Sequence, residues 1–304
     1  MRRLYRLSNG RSNDIISRLL SLRFPPQASG STEVDGVLGN IDEKRLKTIV
    51  EAISEDGFYR FEQKLSSDQL DSLLEFAHET PCDALLPSSG ERLEFTYAPE
   101  RKLFRNSVES VKYNFRPSDL LRTKSVQKLI LDPTILAVAE NYLRCKPILD
   151  LVAMWWSKPS KQPSSEAAQF YHFDMDRIKF LKFFIYLTDV NSDTGPHCYV
   201  RGSCKRKPEA LCKDGRVSDD EISQHFHQVD MVEIVGQRGT IIAADTRGFH
   251  KGKQLLTGER LMLQFEFANS MFGANYEPVD AAELDIEFRS IVQANPRLFG
   301  LVKC

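Results

Sequence analysis

An α+β domain, with helices gathered in the first half and a sheet sandwich or barrel in the second, is the fold class this sequence predicts. Three observations carry that expectation. From Asp42 onward Leu46, Ile49, Val50 and Ile53 recur at helical spacing. After Pro147 the period changes to two, most plainly where Leu261, Leu263, Phe265 and Phe267 alternate with other residues. Dense turn signals such as Asn191-Ser192-Asp193-Thr194-Gly195-Pro196 punctuate the later runs.

The chain divides into a basic segment and linker, 1–40, and one domain, 41–304. The first thirty or so residues carry Arg2, Arg3, Arg6, Arg11, Arg18 and Arg23 against one acid, Asp14. Organelle transit peptides share that composition, and so does a basic amphipathic helix over Ile15–Leu22 packed on the domain, the preferred reading. Pro25-Pro26 through Gly39 reads as a linker. The helical lead-in spans 41–147: a helix from Asp42, a short strand at Gly57–Phe61, a helix opened by Ser67-Asp68, an irregular stretch at 81–117, and a helix that Asp132-Pro133 starts and Pro147 stops. The sheet core spans 148–270. It opens with Ile148–Trp156 and continues through Phe180–Val190, an aromatic and β-branched run long enough for a full strand. An insert at 204–229, with a capping box at Ser218–Glu221, occupies the place of a lid, and a helical tail covers 280–304.

Composition sets limits on function. With 304 residues and a formal net charge of −1, the chain is long enough for one sizeable core, and near-neutrality argues against nucleic acid as a partner. No apolar run reaches the length of a membrane span, so no membrane partner is expected. Six cysteines without CxxC spacing do not make a disulfide framework and point to a reducing cytoplasm. Cys198, Cys204 and Cys212 beside His197 match no common zinc pattern and read as small hydrophobes.

One stretch carries chemistry. In an extended segment His172 and Asp174, two residues apart, point to the same side and present a nitrogen and an oxygen to one ion. His250, following the apolar run Gly239–Ala244, is the third donor. Two histidines and a carboxylate make the facial triad of non-haem Fe(II) sites, with positions left for a cosubstrate and O₂. His78, His225 and His227 have surroundings unlike a ligand's, and His197 follows a turn. Arg260, ten residues past His250, heads the last alternating strand. Its planar guanidinium suits a carboxylate better than a lysine would.

These pieces, His172-Phe173-Asp174, Leu187-Thr188-Asp189-Val190 with Thr194-Gly195-Pro196, Val200-Arg201-Gly202-Ser203, His250 and Arg260, resemble the phytanoyl-CoA dioxygenase family of Fe(II)- and 2-oxoglutarate-dependent oxygenases. They stand in the family's order, and with the helical lead-in span roughly 55–270. The resemblance implies a double-stranded β-helix, the jelly-roll (cupin-like) core of these enzymes. It also implies iron ligation by His172, Asp174 and His250, with Arg260 clamping the distal carboxylate of 2-oxoglutarate. Lys182 and Tyr186, of one strand parity, are further candidates for that carboxylate. The family's usual Pro-Gly-Ser-His ending is Arg201-Gly202-Ser203-Cys204 here, so no role of a histidine at 204 is carried over. A carboxylate at 174, where iron halogenases of this group have a small residue, implies hydroxylation or another oxidation.

The expected activity is oxidation of an unactivated C–H in a small molecule, giving succinate and CO₂. The substrate is expected to be anionic, held by Lys205-Arg206-Lys207, by basic residues at 92–112, and by Trp155 or Trp156. A cupin-like binding or scaffold protein with a structural metal or none, and a hydrolase or isomerase using zinc in the same site, are the alternatives; neither needs Arg260 beside the metal.

Overall fold

The computed structural model describes residues 2–26, 33–85, 92–96, 110–165, 167–213, 215–274 and 276–303. Two helices, α1 (Arg2–Ser8) and α2 (Arg11–Arg23), lead in. The expected helix over Ile15–Leu22 therefore starts one turn earlier. Both helices are docked: Tyr5 is buried, the Asn13 amide donates to the Ile178 carbonyl at 2.9 Å, and the Asn269 amide donates to Ser17 Oγ at 2.9 Å.

The helical layer follows. Asp42 caps α3 (Glu43–Asp56) by accepting from the Arg45 N–H, and Gly57, at φ 95°, ends it in the left-handed conformation that glycine adopts without a Cβ penalty. β1 (Phe58–Lys64) comes next, then α4 (Ser67–Glu79), capped by Ser66 in a reciprocal box with Gln69. The region 81–117, expected to be irregular, contains β2 (Pro81–Leu85), β3 (Arg92–Thr96) and β4 (Lys112–Asn114). These strands extend the sheet edge, where pairing with distant residues outweighs weak local signals. Arg101, Lys102, Arg105 and the side chain of Arg92 lie outside the described residues. α5 (Pro117–Arg122), α6 (Lys124–Ile130) and α7 (Pro133–Leu143) complete the layer.

The remaining strands are β5 (Ile148–Ser157), β6 (Phe180–Tyr186), β7 (His197–Val200), β8 (Met231–Ile234), β9 (Thr240–Ala244), β10 (His250–Gly252) and β11 (Arg260–Ala268). A short helix, α8 (Asp219–Ser223), lies between β7 and β8. Near the end β12 (Val279–Asp280) pairs in parallel with β13 (Val302–Lys303) around α9 (Ile286–Ala294), and the tail docks through Leu149 and Leu298.

Eight strands form one sheet in the order β1-β9-β6-β11-β5-β4-β2-β3, and three form a second, β10-β7-β8. The Tyr171–Asp174 segment runs along the free edge of β10, where His172 and His250 exchange backbone hydrogen bonds at 3.0 and 2.9 Å. Two sheets facing each other with helices on one outer side make the double-stranded β-helix.

Period-two alternation sorts the side chains into three layers. Leu181, Phe183, Ile185, Leu261, Leu263, Phe265 and Phe267 pack under the helices. Trp155, Phe184, Tyr186, Tyr199, Ile242 and Met262 fill the space between the sheets. On the far side of the small sheet, Tyr171, Cys198, Val200, Leu211, Val217, Ile222 and Phe249 form a third cluster. Leu211, Val217 and Ile222 belong to the 204–229 insert. That insert therefore backs the outer face of the ligand-bearing sheet, and its Val217 pairs with Tyr171, next to His172.

Candidate metal centre and cosubstrate pocket

His172 and Asp174 reach the same side of their segment because residues i and i+2 share a face in extended chain. The backbone hydrogen bonds with His250 and with the Thr246 carbonyl fix that segment against β10. His172 Nε2 lies 3.8 Å from Asp174 Oδ1, and His250 Nε2 lies 3.4 Å from Asp174 Oδ2. One donor atom from each residue falls within 4.8 Å of the other two. A carbonyl can only accept, so His172 Nδ1 at 2.9 Å from the Phe170 carbonyl, and His250 Nδ1 at 3.0 Å from that of Gly248, carry the protons. Both Nε2 lone pairs are thereby left for an ion. Burial and the neighbouring His250 push the His172 pKa down to about 3, and burial lowers that of His250, so both rings stay neutral. Asp174 is held below the usual carboxylate range: burial opposes this, but the Lys182 ammonium, 2.8 Å away, prevails.

Lys182 points into the space between the sheets, as its parity requires, and there it meets acids. Its Nζ lies 2.8 Å from Asp174 Oδ2, 2.9 Å from Asp176 Oδ2 and 3.2 Å from Glu266 Oε2. These carboxylates hold its charge on despite burial. Tyr186 shares the parity but donates to the Ile234 carbonyl at 2.7 Å and accepts from the His197 N–H at 2.8 Å. Both residues expected at the 2-oxoglutarate carboxylate are thus engaged by protein groups.

Arg260 is 5 % exposed and aligned by strand register. It pairs across to Ser157 on β5, which pairs with Lys112 on β4, so these three side chains form a row on the inner face. Its Nη2 donates to Ser157 Oγ at 3.1 Å and its Nη1 to the Gly195 carbonyl, while Nε has no partner among the described residues. Gly252, two residues past His250, borders it: a Cβ there would lie 3.4 Å from Nη2. Lys112 Nζ sits 4.2 Å from the Trp155 ring centroid. Burial, then repulsion from Arg260 and Lys182, lowers its pKa to about 8.

The other residues expected at the substrate are dispersed. Trp155 faces the inner space, but Trp156, the next residue, is on the helical side, stacked on His78 at 5.7 Å. Lys205 is exposed and paired with Glu55 at 2.6 Å, and Arg206 is exposed. Lys207 is buried, donating to Tyr5 Oη at 3.1 Å. The triplet lies beside the N-terminal helices because α1 docks on that part of the insert, an arrangement with no local sequence signal. His197, set aside in the sequence, is buried with its ring 5.6 Å from that of His250, and its Nε2 has no partner among the described residues. Parity with Tyr199 on an apolar strand is the signal that would have found it. Cys198, Cys204 and Cys212 face different carbonyls, and His172, Asp174 and His250 are the only metal-binding group among the described residues.

The family model for phytanoyl-CoA dioxygenase matches residues 53–261. The chain belongs to the phytanoyl-CoA dioxygenase family. It is accordingly an oxidoreductase that works with iron, 2-oxoglutarate and O₂. Among solved structures it is similar to the non-haem α-ketoglutarate-dependent epimerase SnoN of nogalamycin biosynthesis, at 18 % identity over 74 % of this chain and 84 % of that one, with a TM-score of 0.52. SnoN in complex with Fe³⁺, α-ketoglutarate and nogalamycin RO aligns over the same shares at 18 % identity and a TM-score of 0.50. These likenesses carry the jelly-roll fold. No curated protein sequence matches the chain. The phytanoyl-CoA dioxygenase fold brings Gly252, two residues past His250, against Arg260, although the two lie in different strands. No helix among the described residues is long and apolar enough to cross a membrane.

Proposed function

We propose that this family member hydroxylates a C–H bond of a small molecule at an iron held by His172, Asp174 and His250. The observation that carries the reading is a neutral-His, ionised-Asp donor set at the strand whose Gly252 borders a buried guanidinium, Arg260, with an Nε that has no partner among the described residues. The donor chemistry fits Fe(II), and the guanidinium fits a carboxylate. When bound, iron with 2-oxoglutarate and O₂ supplies the oxidation: one oxygen atom enters the substrate and the other enters succinate as CO₂ leaves.

The protein's own groups do the rest. Phe170 and Gly248 carbonyls fix the imidazole tautomers, and Lys182 holds Asp174 ionised and oriented. Arg260, with Ser157, positions the distal carboxylate of the cosubstrate. Lys112 has no carboxylate partner among the described residues, and we assign it to an acidic group entering the cavity over Trp155. Phe184, Tyr199, Ile242 and Met262 exclude water. An anionic substrate remains the reading favoured here, held by Lys112 from the expected basic stretch at 92–112 rather than by Lys205, Arg206 and Lys207.

The test is succinate formation from 2-oxoglutarate in protein reconstituted anaerobically with Fe(II) and then exposed to O₂. Turnover in the parent and none in His250→Ala supports the reading. Equal turnover in both would overturn it. A panel of acidic and neutral small molecules then identifies which class stimulates turnover.

A further inference from the structure

α2 leaves a large apolar face outward although it is docked on the domain. Its most buried positions are polar, Asn13 and Ser17, hydrogen-bonded to the body of the protein with Ile16 and Leu20 half-buried beside them. Its outward side carries Ile15, Leu19 and Leu22, at 60 %, 62 % and 80 % exposure and at i, i+4 and i+7 spacing. Leu4 and Leu7 of α1 are exposed as well. Arg11 and Arg18 fall on one edge of the outward stripe and Arg23 on the other, all exposed. Asp14, the one acid in this segment, is taken up by Arg247 at 3.0 Å. At the end of α2, Arg297 touches both the Phe24 ring and the Asn269 carbonyl.

The buried polar contacts specify how the helix sits, so the outward apolar stripe is not a consequence of loose docking. Large exposed aliphatics cost solubility and contribute nothing to the core. Rows of arginine beside them would repel a second copy of the same face, and they complement a negatively charged surface. An apolar stripe of this width flanked by arginines matches an interfacial helix, in which aliphatic side chains enter the acyl boundary and guanidinium groups meet headgroups. We propose that α1 and α2 form a docking surface for an anionic phospholipid bilayer, holding the enzyme at a membrane without spanning it. This surface is separate from the iron site and stands independently of the substrate reading.

The test is co-sedimentation of the full chain with vesicles of phosphatidylcholine alone and of phosphatidylcholine with phosphatidylglycerol, at low and high salt. The parent should bind the anionic vesicles, weakly or not at all the neutral ones, and lose binding as salt rises. Leu19→Glu/Leu22→Glu should abolish binding. Arg11→Gln/Arg18→Gln/Arg23→Gln should weaken it about a hundredfold. All five positions are exposed, so circular dichroism and succinate formation should match the parent, which confirms that the variants are folded. Absence of binding to anionic vesicles, equal binding to both lipids, or retained binding in the leucine variant overturns the proposal. So does a parent dimer in sedimentation equilibrium that the leucine variant converts to monomer, since the face would then belong to a second copy.

Discussion

At the scale of single residues, three side chains separate the roles in the site. His250→Ala should lose stoichiometric iron while keeping the parent's circular dichroism spectrum, because the apolar layers, not the metal, hold the strands. Arg260→Ala should weaken 2-oxoglutarate binding by roughly 2–5 kcal/mol, the cost of removing one partner from a buried charge pair, as measured by calorimetry. An unchanged affinity would place the cosubstrate elsewhere. Lys182→Met should act on stability: it strands Asp174, Asp176 and Glu266 without their cation, a loss of about 3–5 kcal/mol in urea unfolding. The His172–Asp174 spacing suggested a donor pair, and the family resemblance, not spacing alone, singled out His250 and Arg260; the structure gathers the three donors. Strand parity put Lys182 and Tyr186 on one face but left open which face it is; the packing turns both inward. What parity does not encode is which neighbours they meet, and Asp176, Glu266 and the Ile234 carbonyl come from other strands. Trp155 and Trp156 show the same limit: both sit in one apolar run, and only the register with β11 decides which faces the cavity.

At the scale of elements, capping was the most readable signal. The Asp132 carboxylate receives the N–H groups of Thr134 and Ile135 at 2.9 and 3.1 Å and that of Val37 at 2.8 Å. It therefore pins a distant turn while starting α7. Asp132→Ala should cost about 1–3 kcal/mol, a cap plus a half-buried donor left without its acceptor, read as a shift in the urea midpoint. A loss within a few tenths would mean that water replaces it. The region 81–117 was illegible for the opposite reason. β4 has three residues and finds its place by pairing with β5, a non-local contact that no window of local sequence contains. Lys112 belonged to the basic stretch expected at the substrate, but its place in one row with Arg260 and Ser157 follows only from that pairing.

At the scale of the molecule, three apolar layers flank two sheets, and β11 runs through the middle with every residue buried. Chelating the iron should leave the secondary structure intact and lower stability only by mass action, about 2.7 kcal/mol where free metal had stood at a hundred times its dissociation constant. Collapse of the fold on chelation would show a structural metal instead. Phe265→Ala, in contrast, should cost about 3–5 kcal/mol at the centre of the helical-side layer, with 2-oxoglutarate affinity unchanged in the protein that remains folded. Along β11 the two kinds of residue alternate without a gap: Arg260, Met262, Gln264 and Glu266 look to the cavity, and Leu261, Leu263, Phe265 and Phe267 look to the helices. For the gene, this makes the strand a place where substitutions are absorbed one at a time but reading-frame-preserving deletions are not. Loss of a single codon inside it would exchange the faces of every residue on one side of the lesion, driving a guanidinium or a carboxylate into the aliphatic layer and a phenylalanine toward the iron, whereas loss of two adjacent codons would shorten the strand and leave each face with its own chemistry.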